Sequence, residues 1–174
     1  YSVLPNSLTS VPVIRKLDSI DQKRIVFLGQ LDYEPNLYSM IRTSTLFSEL
    51  DPSYEFHVVG SFNKSTKKKL STLENVVTHG FVDHLDEIIP HSLCGVALIE
   101  NVTGMQNKVL DYFFYGIPAL VSKDVYDGLP TGSPALVVTN LDELRRALKM
   151  CLSDEYRANL QVLGYEYLEQ LKKN

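Results

Sequence analysis

The chain has 174 residues, and its 17 basic and 21 acidic residues give a net charge of −4. A chain of this length can form one domain with its own hydrophobic core, and 44% of its residues are hydrophobic. A dedicated nucleic-acid-binding protein would carry a basic excess, so the charge argues against that class, and no apolar run approaches the roughly 18 residues of a membrane span.

Six short apolar runs, rich in Val, Ile, Leu and Phe, are typical of buried parallel strands. They cover residues 24–28, 55–59, 75–78, 95–99, 118–121 and 135–138. Amphipathic runs with helical spacing alternate with them and cover residues 35–50, 64–73, 83–91, 106–115, 140–152 and 155–172. This alternation predicts a single α/β domain with a Rossmann-like, doubly wound parallel sheet of about six strands.

In such sheets, ligands bind outside the carboxyl ends of the strands. The loop after the first predicted strand, residues 29–36, begins with Gly29 and Gln30. Glycine lets the backbone approach a ligand closely, and the N–H groups at the start of the next helix attract anions. The loop has no G-x-G-x-x-G and no Walker lysine, which argues against nicotinamide, flavin and P-loop sites. An ordinary strand-to-helix turn remains the alternative.

The loop after the fourth predicted strand carries more chemistry. Gly104 precedes a predicted helix, Lys108 follows within one turn and Asp111 lies a turn further on. The partial positive charge of a helix N-terminus and the full charge of a lysine suit a diphosphate, and the carboxylate of Asp111 could accept hydrogen bonds from two sugar hydroxyls. Residues three apart share a helical face, so a surface ion pair between Lys108 and Asp111 is an equally good interpretation.

The run GMQNKVLDYFFYGIPALV at residues 104–121 resembles the G-x-x-x-K-x-L-E-A-x-x-x-G-x-P-V-V segment of GT-B glycosyltransferases. Other motifs follow in family order: GQLDYEPN at 29–36, VVG at 58–60 and VTHGFVD at 77–83. LPNS at 4–7 resembles the linker that enters the second domain. The closest resemblance is to the large retaining family (group 1, family 4-like) that includes many bacterial envelope-polysaccharide enzymes. We therefore expect the C-terminal half of a GT-B enzyme, with residues 1–22 derived from the linker and 155–174 forming the last helix.

In that family the second domain binds a nucleotide-diphospho-sugar donor without a bound metal or other cofactor. The resemblance implies a UDP- or GDP-sugar whose ribose hydroxyls are held by Asp111 and whose phosphates lie near Gly29. The family residues that are matched by Phe81 and Val82 lie against the base. The loop that wraps the diphosphate and the sugar is matched by Thr103, Gly104, Met105, Gln106, Asn107 and Lys108.

The sequence departs from the family at several positions. The family often has a glutamate eight residues before the ribose carboxylate, near the transferred sugar, but Thr103 stands there. Glu100 is close to that position but out of register, so the catalytic residue stays unassigned. The ribose position holds an aspartate, which is one methylene shorter than the usual glutamate. The basic residues common in the first loop are absent, with Gln30 there and no base before Arg42, which leaves Lys108 as the main cation.

The chain begins at Tyr1 rather than Met, and we expect it to be a fragment of a hexosyltransferase that is inactive alone. The resemblance implies a cytoplasmic bacterial enzyme whose missing N-terminal domain takes a glycan or lipid-linked acceptor. The resemblance is also compatible with peripheral association of the full enzyme with the inner face of the membrane. One alternative is a non-catalytic nucleotide-binding or assembly module, supported by the departures at Thr103 and Asp111. A sugar-nucleotide epimerase of the same architecture is another, but no catalytic carboxylates or histidines can be assigned to it.

Other reactive side chains are interpreted mainly as structural. The basic cluster, which predicts a solvated helix face, consists of Lys64, Lys67, Lys68 and Lys69. His57 and His91 are expected to be packing or capping residues, whereas His79 and His84 are expected to flank the base-binding loop. Cys94 and Cys151, far apart along the chain and in apolar surroundings, predict reduced core thiols, and no Cys/His spacing predicts zinc. Core packing is expected for Tyr112 and Tyr115.

Overall fold

A computed structural model of the protein describes residues 15–102 and 106–173. Its six strands are β1 (Asp21–Leu28), β2 (Glu55–Val59), β3 (Val76–Gly80), β4 (Ser92–Ala97), β5 (Ala119–Val121) and β6 (Leu136–Val137). All pair in parallel in one sheet of order β3-β2-β1-β4-β5-β6. This is the strand order of a doubly wound Rossmann-like sheet, so the predicted fold class is confirmed.

The six α-helices are α1 (Glu34–Leu50), α2 (Lys64–Leu70), α3 (Asn107–Phe114), α4 (Lys123–Asp127), α5 (Leu141–Cys151) and α6 (Asp154–Leu171). Successive residues of a strand face opposite sides of the sheet. Ile25 and Phe27 of β1 therefore join a core with α1 and α5, whereas Val26 and Leu28 join a second core with α3 and α6. The sheet thus separates two hydrophobic cores.

Two segments differ from the sequence-based predictions. The predicted helix over 83–91 consists of two single 3₁₀ turns, Leu85–Glu87 and Ile89–His91. Pro90 lies inside this run, and it lacks the N–H that a continuing α-helix requires. The short helix α4 was not predicted, because its five residues are too few to show helical periodicity. Its N-cap, Ser122, accepts a hydrogen bond from the N–H of Val125.

The ends of the chain are described only in part. Residues 1–14, which include the predicted linker motif, lie outside the described residues. The last two residues of the predicted linker segment 1–22 are the first residues of β1. At the other end, α6 closely follows the predicted last helix. It is held against β4 by the fully buried Arg157, whose guanidinium donates hydrogen bonds to the carbonyls of Ser92 and Leu93.

Strands β1 and β4 lie at the centre of the sheet, where the order of the strands reverses. Their pairing extends to Val26 and Gly95. Beyond it, the fully buried hydroxyl of Tyr112 accepts a hydrogen bond from the N–H of Leu28 and donates one to the carbonyl of Val96, both over 3.0 Å. Tyr112 thus bridges the two strands at the point where ligand crevices form in this fold.

The Tyr112 ring has room because residue 95 is glycine. A Cβ atom at Gly95 would lie 2.4 Å from the ring. Tyr112 is packed in the core, as predicted. Its hydroxyl also joins β1 to β4 beyond the point where their backbone pairing ends. Cys94, next to Gly95, lies in the same core as Cys151, although the two residues are distant in sequence, and burial raises the pKa of its thiol. Both cysteines are free and buried, as predicted.

Candidate functional site

The loop after β1 is tied to the loop after β2 by backbone hydrogen bonds. The N–H of Gly29 donates to the carbonyl of Val59, and the N–H of Leu31 donates to the carbonyl of Ser61, both over 3.0 Å. The two loops approach so closely that a Cβ atom at Gly60 would lie 1.9 Å from the carbonyl oxygen of Gly29. The backbone of the first loop is therefore held in place beside the crevice.

Lys108, in the first turn of α3, reaches the start of α1 at the point where the strand order reverses. Its Nζ atom donates a hydrogen bond to Oδ1 of Asn36 over 3.0 Å and lies 4.5 Å from the centre of the Phe27 ring. Burial disfavours the charged form of the amine and lowers the pKa of Lys108 to about 8. The ammonium therefore remains mainly protonated at neutral pH, with a neutral amide as its hydrogen-bonding partner.

Asn36 connects Lys108 to the first loop. Its Nδ2 donates to the carbonyl of Gln30 over 3.0 Å, while its Oδ1 accepts from Lys108. A Cβ atom at Gly29 would lie 3.1 Å from both Nδ2 of Asn36 and Nζ of Lys108, so the glycine is closely surrounded. Asn36 belongs to the motif at residues 29–36 but is not among the site residues that the sequence predicts. A polar residue in the first turn of the helix after β1 was the available signal.

Asp111 lies one turn beyond Lys108 and is half-buried. Burial raises the pKa of its carboxyl group. Within the described part of the chain, this carboxylate forms no hydrogen bond and no ion pair, so the surface pair with Lys108 that the spacing allowed is not formed. Among the described residues, neither oxygen of Asp111 has a hydrogen-bonding partner, and Lys108 is directed to α1 instead.

The segment after β3 presents an aromatic side chain to solvent. Phe81 is 77% exposed, whereas its neighbour Val82 packs against the core that contains α3. Gly80 at the end of β3 has φ of +70°, a left-handed conformation that favours glycine, and its carbonyl accepts a hydrogen bond from the N–H of Gly60. The loop that carries Phe81 is therefore joined through Gly60 to the first loop.

The predicted diphosphate loop is described only at its end. Thr103, Gly104 and Met105 lie outside the described residues. Gln106 is the N-cap of α3 but makes no side-chain cap hydrogen bond, and Asn107 at the helix start is exposed. Helix N-termini leave their first N–H groups unpaired within the helix. The start of α3, which carries Lys108, therefore offers backbone donors.

Glu100, the alternative sugar-contacting carboxylate, forms an ion pair with Arg42 of α1. Both side chains are roughly half exposed. The next residue, Asn101, has φ of +56°, and its N–H donates to Oδ2 of Asp124 over 2.6 Å. In the sequence, Arg42 is notable only as the first basic residue after the loop at 29–36. The ion pair brings together two residues that are 58 positions apart in the chain.

His57 and His79 are stacked on adjacent strands, with ring centres 5.0 Å apart and Nδ1 of His57 2.9 Å from Nε2 of His79. Burial lowers the pKa of both imidazoles. His57 is therefore a packed residue, as expected, and its partner His79 is turned toward it. The remaining histidines and the four lysines of the predicted basic cluster are exposed.

In the described ranges, no group of three or more His, Cys, Asp or Glu side chains is arranged to hold a metal ion. None of the helices within those ranges is both long and apolar enough to cross a membrane.

The order of the strands, which reverses between β1 and β4, is that of a doubly wound Rossmann-like domain. A sequence profile of the family described as "Glycosyl transferases group 1" matches residues 22–154, and the chain belongs to this family. Comparison with curated protein sequences found no significant match.

Solved structures with a similar fold are glycosyltransferases and a related synthase. A mutant of S. aureus TarM, in complex with UDP and α-GlcNAc-glycerol, has a TM-score of 0.64 at 15% identity over 90% of this chain and 34% of its own. Anabaena HepE, in complex with UDP and glucose, has a TM-score of 0.62 at 12% identity, over 87% of this chain and 48% of the HepE chain. The α,α-trehalose 6-phosphate synthase from Burkholderia multivorans has a TM-score of 0.65 at 13% identity, over 85% of this chain and 39% of the synthase chain. The chain thus spans a third to a half of the length of these structures, and the likeness concerns the fold.

Proposed function

We propose that the chain is the donor-binding half of a glycosyltransferase and binds a nucleotide-diphospho-sugar in the crevice between β1 and β4. The observation that carries this proposal is the position of Lys108. Its ammonium group is half-buried at the switch point of the sheet and is bonded to the neutral amide of Asn36 rather than to a carboxylate. A cation held in this way can accept a diphosphate without first breaking an ion pair.

The rest of the donor follows from the neighbouring residues. Asp111 has no partner among the described residues and lies a turn beyond Lys108 on α3, where it would accept the two ribose hydroxyls. Phe81 is exposed beside Val82 and would supply an apolar surface for the base. The backbone of Gly29 and Gln30 would line the phosphates, together with the N–H groups at the start of α3.

In this proposal, sugar transfer leaves a nucleoside diphosphate as the departing group. Negative charge develops on the departing phosphate oxygen, and groups aimed at that oxygen stabilise the transition state more than the ground state. In this proposal, Lys108 and the first amides of α3 would supply these groups. Transfer with retention of configuration and without a bound metal is proposed from the family resemblance.

We assign the acceptor to a second domain, because the chain spans only part of the similar structures. A glycan or lipid-linked acceptor, envelope-polysaccharide synthesis, a cytoplasmic bacterial location and peripheral membrane association belong to this proposal as well. The domain alone should bind nucleotide and transfer no sugar.

Calorimetric titration of the chain with UDP, GDP and ADP tests the proposal. We expect one of the three to bind with Kd below about 1 mM (about −4 kcal/mol). The variant Asp111→Asn removes the carboxylate charge but keeps the shape, and it should weaken nucleotide binding while leaving binding of inorganic pyrophosphate unchanged. The matched control, Asp142→Asn, changes an exposed carboxylate near the start of α5. Absence of binding by all three nucleotides would overturn the proposal.

A second candidate is a nucleotide-binding or assembly module without transferase activity. Glu100, the carboxylate near the position where the family often has a glutamate, forms an ion pair with Arg42. The two candidates differ in the full-length protein: an enzyme consumes a nucleotide-sugar donor in the presence of acceptor glycans, whereas a module binds the nucleotide and leaves the donor intact.

A further inference from the structure

A groove lies at the carboxyl edge of the sheet, beside the end of β4. Its larger part, with a volume of about 410 Å³, is formed by the loops after β5 and β6 with the starts of α4 and α5. Its smaller part, about 330 Å³, extends along the first two turns of α1. Both parts are lined by Arg42, Leu98, Glu100 and Asn101, so they are continuous. This size is within the range of roughly 300–1,000 Å³ that is usual for small-molecule sites.

The groove is separate from the proposed donor site. It lies between α1 and α5, on the face of the sheet opposite α3, which carries Lys108 and Asp111. None of the described residues assigned to the donor lines it. The two places approach each other only through the loop that follows β4, where Glu100 and Asn101 precede the start of α3. A molecule in the groove would therefore lie beside the donor rather than in its place.

The groove carries no excess of positive charge. Its charged lining residues are two cations, Arg42 and Lys123, and three anions, Glu34, Glu100 and Asp124. Arg42 and Glu100 form an ion pair, and Asp124 accepts a hydrogen bond from the backbone of Asn101. A phosphate or another polyanion would meet more negative than positive charge here. The groove is thus suited to a neutral polar ligand, in contrast to the crevice at Lys108.

The groove also combines polar groups with apolar surface. The amide of Asn101 forms no side-chain hydrogen bond with another described residue, so it can donate and accept. Tyr38 stands at the rim and is 67% exposed. The apolar part of the lining consists of Leu46, Leu98, Val138, Leu141 and Leu144. A sugar ring has hydroxyl groups at its edge and C–H groups on its faces, and it can therefore satisfy both kinds of surface.

We propose that this groove binds a neutral glycan, through Arg42, Glu100 and Asn101 at the hydroxyl groups and Tyr38 against one face of a sugar ring. The ligand is a saccharide chain rather than the nucleotide. This inference goes beyond the proposed function, because the groove is a saccharide site of this domain, separate from the donor site and from the acceptor that is assigned to a second domain.

The test is saturation-transfer NMR of the 174-residue chain with neutral oligosaccharides as probes: maltotriose, cellotriose and N-acetylchitotriose. We expect at least one to bind, and to remain bound when UDP-glucose is added at saturating concentration. Arg42→Ala and Tyr38→Ala should each weaken binding by about tenfold, while Tyr38→Phe should keep it because the ring remains. Arg145→Ala is the matched control, since Arg145 forms a similar exposed ion pair with Asp142 outside the groove.

Three results would overturn the inference: no oligosaccharide binds, UDP-glucose displaces the oligosaccharide, or binding is unchanged in both Arg42→Ala and Tyr38→Ala. Calorimetry with UDP on the same samples keeps the two proposals apart. Oligosaccharide binding without binding of any nucleotide would refute the donor site and still support the groove. Nucleotide binding without oligosaccharide binding would refute the groove alone.

Discussion

The ammonium group of Lys108 is hydrogen-bonded to Oδ1 of Asn36 over 3.0 Å, although the two residues are 72 positions apart in the chain. Lys108 lies at the start of α3 and Asn36 near the start of α1. The bond therefore joins the two helices that begin on either side of the reversal in strand order. It also places a positive charge between two helix N-termini, which favours an anion at that point.

Replacement of Lys108 by alanine should lower the affinity for UDP. A hydrogen bond to a charged group is worth about 1.5–3 kcal/mol, or roughly tenfold to hundredfold in affinity. Calorimetry with UDP and with uridine measures the effect, and only UDP binding should respond because uridine has no phosphate. Lys149→Ala, an exposed lysine of α5, is the control. An equal loss for uridine would show that the variant has damaged the fold rather than a phosphate contact.

The affinity for UDP should depend on pH above about 8. Burial lowers the pKa of Lys108 to about 8, so the free protein loses this charge as the pH rises through that value. A bound diphosphate favours the charged form, so binding should weaken by up to about tenfold per pH unit above pH 8. UDP itself is fully ionised there, since a terminal phosphate has a pKa of about 6.

The variant Lys108→Arg provides the control for this pH dependence. Arginine stays protonated throughout the measured range. Its UDP affinity should therefore be constant between about pH 7.5 and pH 9.5. A wild-type affinity that is equally constant would contradict the assignment of Lys108 to the diphosphate.

The same residue should affect stability in the absence of ligand. Between about pH 8 and pH 10.5, the unfolded chain keeps a proton on Lys108 that the folded chain has lost. The unfolded state then binds more protons, so the free energy of unfolding should rise with pH over this interval. Urea denaturation should show this rise in the wild type and a smaller one in Lys108→Met, which has no titrating group at this position. Identical pH profiles would contradict the burial of the amine.

Removal of the Tyr112 hydroxyl should destabilise the domain. In Tyr112→Phe, the N–H of Leu28 and the carbonyl of Val96 lose their shared partner inside the core. An unsatisfied buried polar group costs about 1–3 kcal/mol, so we expect a loss of at least about 2 kcal/mol in the free energy of unfolding. Tyr156→Phe, at an exposed position of α6, is the control. A loss no larger than that of the control would show that the hydroxyl bridge is not needed.

Gly60 should not tolerate a side chain. Its φ of +146° is unfavourable for other residues, and a Cβ atom would lie 1.9 Å from the carbonyl oxygen of Gly29. Gly132→Ala is a matched control, because Gly132 also has positive φ but its Cβ would meet no atom within 4 Å. The control should lose about 1–2 kcal/mol from backbone strain alone.

Gly60→Ala should lose clearly more than this control in urea denaturation, and it should also lose UDP affinity because the Gly29 loop must move. Equal stability of the two variants would refute the close approach of the loops after β1 and β2.

Much of the fold could be predicted from local sequence patterns. The apolar runs locate all six strands because buried strands are short and uniformly apolar. The run over 83–91 was assigned to an α-helix because its apolar spacing was given more weight than Pro90, whose ring prevents continuous helical hydrogen bonding. The helix α4 was missed because five residues show no period. Local patterns thus predict long elements better than single turns.

The candidate site could be predicted only in part. The motif at residues 104–121 directed attention to Lys108 and Asp111, and their placement in a donor site remains a prediction that the experiments above address. Their spacing allowed an ion pair, and the structure directs Lys108 to Asn36 instead. Arg42 was noted only as a distant base, whereas the structure pairs it with Glu100. Each of these partners comes from another strand–helix unit, which no local pattern can reveal.

The sequence by itself determined the parallel α/β architecture and the loops at which a ligand would bind, because strand burial, helix spacing and the position of the carboxyl ends follow from local pattern and chain direction. Only the tertiary structure decided that Tyr112 bridges β1 to β4, that Lys108 bonds to Asn36 rather than to a carboxylate of the described residues, and that Arg42 and Glu100 line a second groove. These features depend on side chains brought together from distant segments by the packing of α1, α3 and α5 on the two faces of the sheet.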